Sequence, residues 1–336
     1  MPISIDEFIR LRHQQTVIDV RSEGEFQQGH IPGAVNIPLL NNAERVIVGT
    51  TYKQQGQQQA IKEGFRLVGP RLLNIITEAE RVAQGKEVLV HCWRGGMRSN
   101  NFCQFTAMAR IRSQALLGGY KAYRQMALQF FQLPLQLTIL SGCTGSGKTE
   151  VLQALKAEGE QVLDLEQLAN HKGSAFGALM MPPQSTTEQF QNNLFEEILK
   201  LDTTKRIWIE DESITIGKIS LPLDFWKQML ISPLVQMDVS KDVRISRLVN
   251  EYGIADRNEF SLSIDKIAKR LGGQHLKAAK EKLATGDMSG TIDILLTYYD
   301  KYYLGSLDKK KERIKLKLEW DGSSVYEFVK QLITKT

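Results

Sequence analysis

Residues 142–149 read GCTGSGKT, and the stretches on either side decide what that run is. LTILS (137–141) precedes it as an apolar run of strand length, and EVLQALKAEG (150–159) follows with a helical rhythm. Strand, glycine-rich turn and helix in that order are the setting that G-x-x-x-x-G-K-[ST] requires. Physically this is an anion site. Glycines let successive backbone N–H groups converge, the helix adds its positive end, and Lys148 adds a mobile cation. The expected phosphate-binding residues are Gly142, Cys143, Thr144, Gly145, Ser146, Gly147, Lys148 and Thr149, with Thr149 placed for Mg2+ if a nucleotide is bound. The pattern recognises phosphate without saying whose.

Downstream, strands are expected at QVLDLE (161–166), RIWIEDE (206–212) and LVQMDVS (234–240), with helices between them. Such alternation implies a parallel sheet. Glu210, Asp211 and Glu212 end the RIWIEDE strand and are candidates for a base or a metal ligand, against simple solvation of a strand end. Arg244 and Arg247 are three apart on one helix face and are candidates for phosphate or tRNA contact, against a solvated face. From about 241 the chain reads as helical and basic, with ten Lys/Arg against six Asp/Glu between 241 and 282. Arg/Lys contacts of that kind bind nucleic acid with an affinity that falls with salt. Tyr298, Tyr299, Tyr302 and Tyr303 either stack on bases or pack a core.

Upstream, LPLQ (133–136) reads as a linker, because Pro134 breaks the helix before it. The division is therefore a domain at 1–132 and a second at 137–336. In the first, TVIDV (16–20), KEVLVHC (86–92) and QALL (114–117) read as strands. Helices are expected at ISIDEFIRLRH, at RSNNFCQFTAMARI (98–111) with Phe102, Phe105 and Ala109 on one buried face, and at GGYKAYRQMALQFFQ. QQGQQQ (54–59) reads as a surface loop. Both domains are thus α/β.

The chemistry of the first domain concentrates in HCWRGGMRSNNF. Cys92 ends a strand, Gly95 and Gly96 lie in the loop, and Arg98 and Ser99 open a helix. Converging amides and a helix N-terminus favour the thiolate, which makes Cys92 a nucleophile near neutral pH. Arg94, Gly95, Gly96, Met97, Arg98 and Ser99 form an anion loop beside the sulfur. Cys103 sits mid-helix and reads as core; Cys143 reads as a tolerated small residue.

Composition sets the outer bounds. The chain has 336 residues, 42% hydrophobic, 24% charged and 8% aromatic. That excludes collagen-like, mucin-like and largely disordered chains. No run approaches the roughly 18 apolar residues of a membrane span. The start carries acidic residues and no apolar core, so no secretory signal is expected. Three cysteines and five histidines are too scattered for a confident metal site. A reducing, cytoplasmic setting is expected. A net charge of +5 permits an acidic partner such as RNA.

DVRSEGEFQQGHIPGAVNIP (19–38), VLVHCWRGGMRS and LLGGYKAYRQ (116–125) resemble the signature, active loop and closing segment of rhodanese domains, which carry sulfur or selenium on cysteine. Cys92 to Arg98 is C-x5-R, one residue longer than the usual sulfurtransferase loop; that length occurs in the phosphatase branch and suits a larger anion such as a phosphate or selenophosphate group. With GCTGSGKT, IEDESITIGKISLP, GTTYKQQGQQQAI (49–61) and LEQLANHKGSAFG (165–177) in one chain, nearly the whole sequence resembles the bacterial tRNA 2-selenouridine synthase family. The resemblance implies a rhodanese-like α/β domain fused to a P-loop parallel-sheet domain with a helical C-terminal part. It implies geranylation of a wobble 2-thiouridine by geranyl diphosphate, then replacement of the geranylthio group by selenium from selenophosphate, with Cys92 carrying the selenium. No tightly bound cofactor is expected; selenophosphate synthetase would supply the donor, tRNA is the partner, and a monomer is expected. The rivals are an ATP-dependent P-loop kinase fused to a rhodanese-like sulfurtransferase or phosphatase domain, and a nucleotide-gated binding module.

Overall fold

The computed structural model describes residues 2–336 and divides into two compact units, Met1–Phe130 and Phe131–Thr336. In the first unit, β1 (Val17–Asp19), β2 (Val35–Asn36), β3 (Val88–His91) and β4 (Ser113–Ala115) form a parallel sheet in the order β2-β1-β3-β4. β1 and β3 are buried along their whole length, as a central parallel pair must be. Ile18, Val90, Phe102, Ile75 and Ala79 share one core.

That core also encloses a charge. Arg21 and Asp19 are 1% and 0% exposed, and Arg21 Nη2 lies 2.6 Å from Asp19 Oδ2. The guanidinium also donates to the Gly29 carbonyl at 2.7 Å and lies 3.9 Å from the centre of the Tyr120 ring. A single charged group at this depth is costly, so the pair stands only because each partner satisfies the other.

Two expectations fail in this unit. QQGQQQ is not a loop. The helices Asn42–Gln55 and Gln57–Val68 meet at Gly56, whose φ of +85° breaks an otherwise continuous helix. Glutamine is a good helix former, and the polar composition marks an exposed helix rather than an absent one. Ala109 is exposed, because the helix Met97–Met108 stops before it and Arg110 turns left-handed at φ +61°. Phe102 is buried as expected and Phe105 half-buried.

In the second unit, β5 (Gln136–Gly142), β6 (Gln161–Leu163), β7 (Arg206–Glu210), β10 (Leu234–Asp238) and β11 (Ile314–Glu319) form a parallel sheet ordered β11-β10-β5-β7-β6. A small antiparallel hairpin, β8 (Thr215–Ile216) and β9 (Ile219–Ser220), follows β7. β5 is central, so the GCTGSGKT turn emerges at the carboxyl end of the middle strand, where open α/β sheets place their ligands. Trp208, fully buried on β7, packs with Leu152, Leu155 and Phe328.

The region after 241 is helical as expected through Lys241–Tyr252, Arg257–Lys266, Gly273–Thr285 and Met288–Asp308. It does not stay helical. IKLKLE forms β11, and the helix Val325–Lys335 closes the chain. Lys315, Lys317 and Glu319 face water while Leu318 is buried, the alternation of an edge strand protected by lysines. Among the described residues no helix is long and apolar enough to cross a membrane.

Arg21→Met should lower the stability of the first unit by about 3–5 kcal/mol, because it strands a buried carboxylate. Urea denaturation followed by a probe in that unit checks this; a loss under about 1 kcal/mol would mean that Asp19 finds other partners.

Candidate active site

Cys92 follows β3 where the chain leaves the sheet, and residues 93–99 fold back over it. The Gly96 amide and the Ser99 hydroxyl each lie 3.3 Å from Cys92 Sγ. Burial alone raises a thiol. Here the Ser99 hydroxyl, the Ser99 and Gly96 amides and the Arg98 charge outweigh it and hold Cys92 below its ordinary value. The residue is only 3% exposed and shares the apolar cluster of Val90 and Phe102. The polar set at the sulfur separates it from an inert core thiol. By contrast, burial pushes the Cys103 thiol up and drives Cys143 to about 11.

Arg98 is aimed by Glu25. Its Nη1 donates to Glu25 Oε2 at 2.7 Å and its Nη2 to Oε1 at 3.3 Å, while Arg45 comes within 3.6 Å of the same carboxylate. Arg94, Trp93 and Met97 are exposed around the loop. The segment after β4 fixes the loop from below. A Cβ on Gly95 (φ +65°) would lie 2.5 Å from the Leu116 carbonyl oxygen and 2.8 Å from the Gly118 amide. A Cβ on Gly119 (φ +58°) would run into the Cys92 carbonyl oxygen. The Tyr120 amide donates to that same oxygen at 2.8 Å. LLGGYK is therefore the seat on which the cysteine loop rests.

In the second unit Lys148 opens the helix Lys148–Ala157, and its Nζ donates to the Gly142 carbonyl at 3.0 Å. Ser146 is fully buried, and its hydroxyl has no hydrogen-bond partner. Cys143, Thr144, Gly145 and Gly147 complete the turn, all half-buried. Arg244 and Arg247 both reach it. Arg244, 5% exposed, forks onto Asp300 at 2.7 and 2.8 Å and donates to the Thr144 carbonyl at 3.3 Å. Arg247 pairs with Glu150 and lies 4.2 Å over the Trp320 ring, which in turn approaches Gly147. Each arginine thus already has a carboxylate partner, which a phosphate must share.

The three acidic candidates separate. Glu210 is fully buried and accepts the Leu165 amide at 3.0 Å; burial and then the neighbouring Asp164 charge push it well above the usual carboxylate range. Its other oxygen, Oε1, is buried without a hydrogen-bond partner. Asp211 is held by Lys310 at 2.7 Å and by the Ser141 hydroxyl at 2.6 Å. Glu212 remains at the cradle. Burial first, and then the Glu166 charge, push it up to about 8 against the pull of Lys148. Glu166 accepts from Thr149 Oγ1 at 3.4 Å. Glu166 and Glu25 are the residues that sequence reasoning missed. Glu166 stood in QVLDLE, expected to be strand to its end, whereas β6 stops at Leu163 and Glu166 lies in the helix Leu165–Ala169 that follows; Glu25 stood inside a segment read only for its fold.

Among the four tyrosines, Tyr299 accepts the Ala175 amide at 3.1 Å, Tyr298 accepts from Arg270 at 3.3 Å, and Tyr303 lies 3.2 Å from the Ser141 hydroxyl. Tyr302, 69% exposed, is the one turned to solvent.

Ser99→Ala removes one hydrogen bond to the thiolate. At about 1–1.5 kcal/mol, this should raise the Cys92 thiol by about one pH unit and slow iodoacetamide alkylation roughly tenfold at neutral pH. Peptide mapping of the alkylated cysteine checks it; an unchanged rate at Cys92 would remove Ser99 from the thiolate's support.

Residues 4–126 match the rhodanese-like domain, and residues 135–335 match the AAA domain of tRNA 2-selenouridine synthase. Among solved structures, the N-terminal domain of a Clostridium difficile 630 protein described as ATP/GTP-binding is 39% identical, covering 38% of this chain and 99% of that one, with a TM-score of 0.36. A yeast protein tyrosine phosphatase of the rhodanese family is 18% identical, covering 38% of this chain and 85% of that one, with a TM-score of 0.23. The match over residues 135–335 spans more than half of the sequence, and with a rhodanese-like unit ahead of it the chain belongs to the tRNA 2-selenouridine synthase family, enzymes of tRNA modification.

Proposed function

We propose that the chain makes 2-selenouridine at the wobble position of tRNA in two transfers. In the first, the 2-thio sulfur of the uridine attacks C1 of geranyl diphosphate; a C–S bond forms, the C–O bond breaks, and diphosphate leaves with the electron pair. In the second, selenium from selenophosphate replaces the geranylthio group at C2. The order has a chemical reason. A thiocarbonyl sulfur is a poor leaving group, whereas an alkylated sulfur departs as a thiol.

Cys92, with its lowered thiol beneath the Gly96 amide and the Ser99 hydroxyl, is the single observation that carries this reading. Arg98 acts on the sulfur and Arg94 and Met97 lie exposed in the same loop, which serves as the selenophosphate site. Gly142–Thr149 hold the departing diphosphate, with Lys148 offsetting its charge and the free Ser146 hydroxyl as a donor. Glu212, pushed up to about 8, keeps a proton near neutral pH and is the acid beside the cradle. A Mg2+ there would take Thr149 and the phosphate oxygens. Lys266, Lys269 and Arg270, exposed on neighbouring helical turns, offer the tRNA backbone a basic surface. Selenophosphate comes from a selenophosphate synthetase, and the chain works in the cytoplasm as a monomer.

Cys92→Ala should abolish formation of 2-selenouridine and leave geranylation near the wild-type rate. Lys148→Ala should cut geranylation by about a hundredfold, the scale of one lost charge-stabilising donor. Nucleoside mass spectrometry of thiolated tRNA after reaction reads both. Equal loss of both steps in Cys92→Ala, or full alkylation by Lys148→Ala, contradicts the assignment.

A further inference from the structure

Electron counting limits what Cys92 does with selenophosphate. Selenium in that donor is already at the selenide level. Joining it to a thiolate as an S–Se bond, with phosphorus ending as phosphate, requires the removal of two electrons, and the loop supplies no oxidant. Phosphorus is the other electrophile in the donor, and the loop is built for it. His91, Cys92, five residues, Arg98 and Ser99 run as H-C-x5-R-S. The Gly96 amide points at the sulfur, and Ser99 Oγ lies 3.3 Å from it. Glu25 grips Arg98 through Nη1 and Nη2, one donor each at 2.7 and 3.3 Å. A guanidinium has five N–H donors, so three remain for phosphoryl oxygens.

We propose that Cys92 is a phosphoryl acceptor: it cleaves the P–Se bond of a Se-phosphoryl uridine and forms a transient cysteinyl phosphate. The inference rests on the selenium step proposed above. The selenium of selenophosphate first attacks C2; a C–Se bond forms, and the C–S bond breaks with its pair leaving on the geranylthiolate. The Cys92 thiolate then attacks phosphorus. An S–P bond forms, the P–Se bond breaks, and the electron pair stays on selenium, giving 2-selenouridine. Water next attacks phosphorus; a P–O bond forms, the S–P bond breaks, and the pair returns to Sγ while the water proton passes to phosphate. No atom changes oxidation level. A selenolate is a good leaving group, so the P–Se step needs no acid. The last step does need support for a departing thiolate; the Ser99 hydroxyl, which donates to the Gly96 carbonyl at 3.1 Å, lies 3.3 Å from Sγ and can turn its proton to the sulfur as charge develops there.

The test uses the full chain with selenophosphate carrying separate phosphorus and selenium radiolabels and tRNA bearing geranylated 2-thiouridine, in wild type and Ser99→Ala. The label expected on the Cys92 peptide is phosphorus without selenium. It should accumulate at least tenfold more in Ser99→Ala, with a burst of selenouridine ahead of slow phosphate release. A second arm uses p-nitrophenyl phosphate without RNA: hydrolysis should require Cys92, vanish in Cys92→Ser and compete with inorganic phosphate. Selenium on Cys92 without phosphorus overturns the proposal. So does the absence of both phosphorus labelling and p-nitrophenyl phosphate hydrolysis. Phosphorus on Cys92 with no selenouridine in the tRNA keeps the cysteinyl phosphate but overturns Se-phosphoryl uridine as its source, and with it the RNA reaction proposed above.

Discussion

A thiol taken out of water resists ionisation, because the charged form loses its hydration. At Cys92 that penalty is met locally by four groups: the Ser99 hydroxyl, the Ser99 and Gly96 amides, and the Arg98 guanidinium. Their positions are set by backbone packing rather than by the loop's own preference. The loop rests on residues 116–119, where Gly95 and Gly119 approach so closely that neither has room for a side chain. The β3–β4 pairing holds the strand ends that carry both parts, and the buried Arg21, paired with Asp19, lies against the Tyr120 ring just beyond the seat. Change the seat and the sulfur reverts to an ordinary buried cysteine.

The phosphate cradle follows a different logic. Its carriers of positive charge are already balanced: Arg244 by Asp300 and Arg247 by Glu150. The turn is therefore held in shape before a ligand comes, and a phosphate must compete for those arginines rather than assemble them. Glu166 and Glu212 add negative charge beside Thr149 and Lys148. Two carboxyls so placed share a proton, which suits the diphosphate departure proposed for this site.

Much of this was legible in the sequence. GCTGSGKT and HCWRGGMRS name local structures whose physics is short-range, so the strand, turn and helix around each could be read directly. β11 was legible in principle, since IKLKLE alternates with period two, but it lies behind a long helical stretch whose rhythm dominates. Gln54–Gln59 misled because polarity was read as absence of structure. Partners far apart in the chain were not legible. Glu25 reaches Arg98 across seventy-three positions, and Lys310 reaches Asp211 across ninety-nine. Only the fold brings these together. The fates of Glu210, Asp211 and Glu212 differ because adjacent residues at a strand end face different neighbours, which spacing alone does not reveal.

The central claim is that the Cys92 thiol is held below its ordinary value while burial pushes its two fellow cysteines above theirs. The 13Cβ resonance of cysteine-labelled full-length protein, followed against pH, reports each thiol separately. The account predicts a Cys92 midpoint clearly below the ordinary thiol value of about 8.5, with Cys103 and Cys143 unchanged across that range. A Cys92 midpoint at or above the ordinary value contradicts it.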